Sequence, residues 1–132
     1  MASFEITAEG NLLIVSVAGN LTAHEVIAVV NEYYSNGQVK DVIWDLTHAT
    51  LHAISQVGFR NIARAAKESL ATGARSGGKT AYVDDSMVEY GLLRMYTTIA
   101  QIMEVPVQYN VFRTMAEARS WMACSADGPE LR

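Results

Sequence analysis

The segment VKDVIWDLT, residues 39–47, constrains the fold more than any other part of the sequence. It is a nearly all-apolar run of strand length, and such runs are typical of strands buried on both faces of a parallel sheet. Parallel neighbours need crossover connections, which are usually helices that cover the sheet. The segment therefore predicts an α/β fold.

Strand-like and helical segments alternate along most of the chain. Two short β-type runs at the N-terminus flank the turn signal Gly10-Asn11 and predict a hairpin. The complete order is ββαβαβαβα, which implies right-handed crossovers. The sequence thus predicts a mixed, mostly parallel five-stranded sheet with four helices.

The predicted helices carry capping residues at their ends. A serine or threonine precedes each helix, and in three of them a glutamate three residues later completes a capping-box pattern. Gly37 is the predicted end of the first helix. The predicted caps are Thr22 with Glu25, Ser55, Ser86 with Glu89, and Thr114 with Glu117.

Length and composition indicate one globular domain. The chain has 132 residues, of which 50% are hydrophobic and 18% are charged, far from the composition of a disordered chain. We expect a single domain over residues 1–124 and a flexible tail over residues 125–132. The net charge of −4 argues against nucleic acid as a partner.

Three observations favour a cytoplasmic location. Cys124 is the only cysteine, so no internal disulfide forms, which fits a reducing compartment. The N-terminal residues MASFEITAEG lack the basic region and the apolar core of a signal peptide. No apolar run reaches the ~18 residues of a membrane span, so we expect none.

Residues 73–80, GARSGGKT, match the phosphate-loop pattern G-x-x-x-x-G-K-[ST] at every fixed position. A working phosphate loop leads from a strand into the N-terminus of a helix, which faces the phosphates. Here a helix precedes the segment and a strand follows it. We therefore interpret it as a helix-to-strand turn with Gly73 in the left-handed conformation, and we expect no nucleotide binding.

Polar residues gather where the predicted parallel strands end, which is where open α/β sheets bind ligands. A carboxylate cluster there suits acid–base chemistry. The structural alternative is that the aspartates cap the following helices and pair with the arginine. No nucleophile motif is present, so we assign no catalytic residue. The residues of this ligand edge are Asn20, Asp45, Thr47, Asp84, Asp85 and Arg113.

His48 and His52 have the i, i+4 spacing of a helical metal pair. They fall in the predicted loop after the third strand, where this spacing defines no common face. No cysteine or acidic residue completes a ligand set. We therefore expect exposed histidines, no metal site and no cofactor.

Two helices carry side chains beyond those that a core requires. Arg60, Arg64 and Lys67 form a basic stripe on the second helix, which is a solvated face or a contact for an acidic partner. The predicted core stripe of the long helix is Val88, Leu92, Met95, Tyr96, Ile99, Ile102 and Met103. Apolar residues outside such stripes suggest a homodimer interface or an apolar pocket; they are Ile27, Tyr34, Met87, Tyr90 and Leu93.

The segment VIWDLTHATLHAISQVG, residues 42–58, resembles the central motif of the STAS family, the anti-sigma factor antagonists of the SpoIIAA type. In that family a buried strand ends in D-L or N-L, and D-S-S-G-L-G then opens a helix. The second serine of the motif, which is the phosphorylation site, falls on Ser55. The last glycine of the motif falls on Gly58.

Other positions of the motif differ, since Ala53, Ile54 and Gln56 replace its aspartate, first serine and first glycine. The second half of the chain is similar to a SpoIIAA-like branch of the family. The segments that carry this similarity are GLLRMY (91–96) and VFRTMAEARSWM (111–122).

The resemblance implies a SpoIIAA-like β–α superhelix that works by binding rather than by turnover. It implies a non-enzymatic regulatory domain that binds a protein partner or a second copy of itself, with Ser55 as a vestigial phosphoserine switch. Two alternatives stay open. Related folds include lipid-carrying SEC14-type domains, which suggests an apolar ligand, and the edge with Asp45, Asp84, Asp85 and Arg113 suggests a small-molecule enzyme.

Overall fold

The computed structural model describes residues 2–35, 39–71, 73, 75 and 78–123. Within these ranges the order of elements is the predicted one. The strands are β1 (Ser3–Glu9), β2 (Leu12–Asn20), β3 (Asp41–Thr50), β4 (Lys79–Val83) and β5 (Gln108–Phe112). The helices are α1 (Ala23–Tyr33), α2 (Gln56–Leu70), α3 (Met87–Ile102) and α4 (Met115–Ala123). Gly37, Cys124 and the predicted tail over residues 125–132 lie outside the described residues.

The strands form one mixed sheet in the order β1-β2-β3-β4-β5. β1 and β2 form an antiparallel hairpin, and all other neighbours are parallel. β3 is longer than predicted, because residues 48–50 continue it past an irregularity in the β2–β3 register and pair with the end of β2. The predicted α/β class and the mixed, mostly parallel sheet are confirmed.

Two apolar layers lie on opposite faces of the sheet. Val42, Trp44 and Leu46 of β3 join the larger layer, which α1, α2 and α3 cover. Ile43 joins the smaller layer, in which Ala118 of α4 is buried. Side chains alternate between faces along a strand, so β3 is buried on both sides, as its all-apolar sequence predicts.

The predicted helix caps are present. Thr22 and Glu25 form a complete capping box at the start of α1. The other caps accept a hydrogen bond from the backbone amide three residues later; they are Ser55, Ser86 and Thr114. These side chains satisfy amides that otherwise lack partners at a helix start.

The buried face of α3 differs from the predicted stripe. Val88 and Ile102, both predicted in the core, are 68% and 75% exposed. α3 is apolar on most of its circumference, so the hydrophobic pattern does not define which face packs. The most buried residues of α3 are Glu89, Leu93, Tyr96 and Ala100, of which Tyr96 belongs to the predicted stripe. The other members of that stripe are partly buried against the same core; they are Leu92, Met95, Ile99 and Met103.

Two residues predicted at the dimer interface lie in the core instead. Tyr34 and Leu93 are each 3% exposed. The hydroxyl of Tyr34 accepts a hydrogen bond from the indole of a core tryptophan at 3.0 Å, and Leu93 is on the inner face of α3. Ile27 and Tyr90 are partly buried against the same core. Met87 is the member of this set that projects into solvent, at 76% exposure.

Candidate functional site

Ser55 ends the loop between β3 and α2 and caps the first turn of α2. Its backbone is extended, and its Oγ accepts a hydrogen bond from the Gly58 amide at 3.0 Å. Leu51 and Ile54 of the same loop are buried, whereas Ser55 itself is exposed. The loop therefore holds the Ser55 hydroxyl at an accessible helix N-terminus.

Gly58 allows the first turn of α2 to approach α1. A Cβ at this position would lie 3.1 Å from Ile54 Cγ2 and 3.2 Å from Ala23 Cβ. Both distances are shorter than ordinary van der Waals contact. The glycine that matches the family motif thus has a packing role beside Ser55.

Glu89 connects α3 to the loop that carries Ser55. Its Oε2 accepts a hydrogen bond from the Leu51 amide at 2.6 Å, although Glu89 is almost fully buried. The sequence predicts a different role for this carboxylate, as a capping-box partner at the start of α3. The loop at the end of β3 is thereby fixed to the first turn of α3.

Asp84 follows β4 and is fully buried. Its Oδ1 accepts a hydrogen bond from the Ser86 amide at 3.0 Å, while Oδ2 has no partner among the described residues. Burial, with the nearby charges of Glu89, Asp85 and Asp45, raises the pKa of Asp84 to about 6. The end of β4 therefore holds a carboxyl group that titrates close to neutral pH.

Other residues of the predicted ligand edge have local partners. Asp45 Oδ1 accepts hydrogen bonds from the amide and the hydroxyl of Thr47, at 3.2 and 2.7 Å. Asn20 Oδ1 accepts one from the Thr50 hydroxyl, between the paired ends of β2 and β3. These contacts stabilise the strand ends and satisfy some of the polar groups at the edge.

Arg113 is not paired with the strand-end aspartates in the described part of the chain, contrary to the structural alternative. Its guanidinium carbon lies 4.8 Å from the centre of the Tyr90 ring, a cation–π contact. Asp45 and Asp85 lie within electrostatic reach of Asp84. The edge therefore carries three acidic side chains, and the Arg113 guanidinium contacts the Tyr90 ring instead of pairing with them.

The GARSGGKT segment is a helix-to-strand turn, as the order of elements predicts. α2 ends before it, and Lys79 and Thr80 begin β4. Gly73 has a φ of 80°, the predicted left-handed conformation. Lys79 is buried and its Nζ donates a hydrogen bond to the Trp121 carbonyl at 2.8 Å. Residues 74, 76 and 77 of the segment lie outside the described residues.

Arg75, in the same segment, is buried, which the sequence did not predict. Its Nε donates to the Lys40 carbonyl at 2.8 Å, and its Nη2 donates to the Lys79 carbonyl and the Thr80 hydroxyl, both at 2.8 Å. Its guanidinium carbon lies 4.6 Å from the centre of the Tyr34 ring. Arg75 thus joins the starts of β3 and β4 and engages the hydroxyl that a phosphate loop would offer to Mg²⁺.

Exposed apolar side chains flank the N-termini of α2 and α3. Val57 is 63% exposed, Met87 is 76% exposed and Val88 is 68% exposed. Both helices follow parallel strands, so their N-termini lie at the same edge of the sheet as Ser55. We refer to Val57, Met87 and Val88 as the apolar edge surface.

The cavities of the described part differ in size and chemistry. An apolar cavity beneath α2 and α3 measures about 30 Å³, roughly the volume of one water molecule, and it is too small for a lipid. A groove of about 400 Å³ lies between α2 and α3, with Arg60 on one wall and Ile99 on the other. The basic stripe of Arg60, Arg64 and Lys67 is exposed, as predicted. A groove of about 600 Å³ follows β5.

The histidine pair does not form a helical metal site. His48 lies in β3 rather than in the predicted loop, and both His48 and His52 are exposed. Over the described ranges, no group of three His, Cys, Asp or Glu side chains is arranged to hold a metal ion. None of the helices in those ranges combines the length and hydropathy of a membrane span.

Three solved structures are similar to this chain over most of their length. An anti-sigma factor antagonist from Mycobacterium paratuberculosis has a TM-score of 0.60 at 14% identity, covering 92% of this chain and 94% of that one. The anti-sigma factor antagonist SpoIIAA in its unphosphorylated form has a TM-score of 0.53 at 15% identity, covering 90% and 96%. An uncharacterized protein from Shewanella loihica has a TM-score of 0.53 at 14% identity, covering 92% and 94%.

The chain has the SpoIIAA-like fold. The fold implied by the motif around Ser55 is thereby confirmed. No family model and no curated protein matches the sequence. Within the SpoIIAA-like fold, Ser55, the Leu51–Glu89 contact and the apolar edge surface all belong to the segments that follow β3 and β4.

Proposed function

We propose that this chain is a regulatory domain that binds a partner protein through the sheet edge at which α2 and α3 begin. The observation that carries the proposal is the apolar edge surface beside Ser55, where Val57, Met87 and Val88 are largely exposed. Exposed apolar patches mark interaction sites, and methionine is enriched in interfaces. The SpoIIAA-like fold adds support, since similar structures include anti-sigma factor antagonists.

The backbone beneath this surface is well anchored. The Leu51–Glu89 hydrogen bond ties the β3–α2 loop to α3, and the buried Ile54 side chain holds the loop against the core. A surface that is ordered before binding loses less conformational entropy when the partner docks. The anchored loop therefore favours binding at this edge.

Glutamate substitutions test the surface. The partner is isolated with the tagged wild-type chain from cells that produce it, and the capture is repeated with Val57→Glu and Met87→Glu. Each substitution places an unpaired charge in the interface, so captured partner should fall by about tenfold or more. Ile102→Glu is the matched control, because Ile102 is 75% exposed at the opposite end of α3. Loss with Ile102→Glu and retention with the other two would refute the proposal.

Ser55 is the switch of this surface in our proposal. A phosphate on Ser55 would lie at the N-terminus of α2, where the helix amides and dipole tolerate an anion. It would add about −2 charges beside Val57, which opposes burial of the apolar edge surface. Ser55→Asp should weaken partner binding and keep the fold, whereas Ser55→Ala should keep binding. Equal partner affinity for Ser55→Asp and the wild type would rule out the switch.

A second copy of the chain is one candidate partner, because two-fold dimers are the commonest oligomers. Met87 is the exposed member of the predicted dimer set, so the dimer interface would centre on the start of α3. Light scattering at micromolar concentration measures the mass of the wild type and of Met87→Glu. A dimeric wild type and a monomeric variant are expected, and a monomeric wild type excludes self-association.

A second candidate function is small-molecule binding at the acidic edge. It is favoured by the buried Asp84, whose Oδ2 has no partner among the described residues. Ligands able to donate a hydrogen bond or carry positive charge would suit Asp84, Asp45 and Asp85. A thermal-shift screen with small amines and polyols tests this idea, since a native-state ligand raises the melting temperature. Shifts that persist in Asp84→Asn would place such a ligand elsewhere.

A further inference from the structure

β5 is an edge strand whose outer side is unpaired within the described part of the chain. It pairs with β4 alone, in parallel. The Gln108 amide donates to the Gly78 carbonyl at 3.2 Å, and the Phe112 carbonyl accepts from the Asp84 amide at 3.0 Å. Backbone groups alternate between the two sides of a strand, so the amides and carbonyls of Tyr109 and Val111 point away from β4.

A side chain substitutes for a strand partner on this outer side. The Val111 amide donates a hydrogen bond to Oδ1 of the adjacent Asn110 at 2.9 Å. Buried or half-buried amides need acceptors, and here the neighbouring residue supplies one. This contact is short-range and replaceable, because Asn110 itself is exposed.

The two edges of the sheet differ in how they are protected. β1, at the opposite edge, carries the exposed charges of Glu5 and Glu9, and edge charges discourage pairing with other strands. β5 reads QYNVF and contains no charged residue. β5 is thus the less protected of the two edges.

A groove of about 600 Å³ runs along this edge. α3 forms one wall through Arg94 and Gln101, and Trp121 of α4 lies on the other side. The hydroxyls of Thr97 and Thr98, also in the wall, donate back to the Arg94 carbonyl at 2.9 and 3.0 Å. Arg94 is exposed and is the one charged residue in the described lining.

We propose that this groove binds an extended, acidic peptide segment of a partner protein, which adds to the sheet as a strand beside β5. Main-chain hydrogen bonds to Tyr109 and Val111 would supply affinity, as in other strand-addition complexes. A carboxylate of the segment would pair with the guanidinium of Arg94, a strong charge-assisted contact. The site lies on the β5 edge and does not depend on the apolar edge surface.

A phage-displayed library of random short peptides, selected on the full chain, provides the probe. Selected peptides should contain Asp or Glu and should slow hydrogen exchange at the Tyr109 and Val111 amides, as measured by NMR. Arg94→Glu should weaken the binding of a selected peptide by about tenfold or more. Replacement of the acidic residue of that peptide by lysine should restore its binding to the Arg94→Glu variant. Arg64→Glu, on the exposed face of α2 and outside the lining of this groove, is the control and should bind as the wild type does.

Asn110→Ala supplies an independent readout. Removal of the competing acceptor leaves the Val111 amide available, so a selected peptide should bind about threefold or more tightly. The proposal is overturned if no peptide is selected, if protection maps outside β5, or if Arg94→Glu leaves affinity unchanged. Self-pairing of the chain through β5, seen as a dimer by light scattering, would also overturn it.

Discussion

The Glu89 carboxylate accepts a hydrogen bond from the Leu51 amide at 2.6 Å and so joins the first turn of α3 to the end of β3. Both residues are buried. A buried amide that loses its acceptor carries its full desolvation penalty. This contact therefore holds the β3–α2 loop against the first turn of α3 in a single arrangement, and it lies next to the residues proposed to bind a partner.

Removal of the Glu89 carboxylate should destabilise the fold. We expect Glu89→Ala to lower the free energy of unfolding by about 1–3 kcal/mol, measured by urea denaturation at neutral pH. Glu89→Gln retains an oxygen acceptor for the Leu51 amide and should cost less. An equal loss for the two variants would contradict a role that rests on the hydrogen bond.

Asp84 makes stability depend on pH in a direction opposite to that of most carboxyl groups. Its pKa in the folded state is about 6, above the ordinary value of 3.8. Below both values the group is protonated in both states and imposes no penalty. As pH rises between them the unfolded state loses its proton first, so stability falls. Above the folded-state pKa the loss reaches about 3 kcal/mol.

Asp84→Asn should remove this pH dependence. The asparagine side chain stays neutral, and its carbonyl oxygen can still accept the hydrogen bond from the Ser86 backbone amide. We therefore expect the free energy of unfolding of the variant to be about 1–3 kcal/mol higher at pH 7 and little changed at pH 4. Urea denaturation across this pH range provides the measurement. Glu32→Gln is the control, because Glu32 is exposed on α1 and should change stability by less than about 0.5 kcal/mol. The assignment is wrong if the free energy of unfolding of the wild type does not fall between pH 4 and pH 7, or if it falls by the same amount in Asp84→Asn.

Local signals in the sequence predicted the elements well because their causes are local. Thr22 and Glu25 are three residues apart and form the predicted capping box. The all-apolar segment of β3 needed no partner to be recognised as a strand buried on both faces. The position of Ser55 at the start of α2 followed from the same kind of short-range signal.

The site was less predictable because its contacts are distant in sequence. Glu89 and Leu51 are 38 residues apart, and Arg75 reaches a carbonyl 35 residues away. No local pattern distinguishes such buried charged residues from solvated ones. The inner face of α3 was assigned correctly only in part for a related reason: Leu93 and Val88 are both apolar, and only packing on the sheet separates the buried one from the exposed one.

The helix cap at Ser55 should be measurable without any partner. Ser55→Ala removes the acceptor of the Gly58 amide and should lower stability by about 1 kcal/mol. Ser55→Asp supplies another capping oxygen and a favourable charge at the helix N-terminus, so it should melt close to the wild type. An unfolded Ser55→Asp protein, judged by circular dichroism, would contradict this placement and the proposed phosphorylation together.

The GARSGGKT segment should bind no ATP or GTP at millimolar concentration, because Lys79 is buried and its Nζ donates to the Trp121 carbonyl. Isothermal titration with and without Mg²⁺ tests this expectation. Magnesium-dependent binding that disappears in a folded Lys79→Ala variant would restore the phosphate-loop interpretation.

Gly78, which matches the second fixed glycine of that pattern, should be required for packing rather than for phosphate. A Cβ there would lie 2.1 Å from the Lys40 carbonyl oxygen and 2.9 Å from the Arg75 carbonyl oxygen. The Gly78 amide donates to the Arg75 carbonyl and its own carbonyl accepts from Gln108, so the backbone has no room to shift. The free energy of unfolding of Gly78→Ala should therefore be lower than that of the wild type by about 3 kcal/mol or more.

Gly91→Ala is the matched control, because a Cβ at Gly91 in α3 meets no atom within 4 Å. Its free energy of unfolding should rise by about 0.5–1 kcal/mol from helix propensity. Urea midpoints that coincide for the two variants would show that close packing does not explain the glycine.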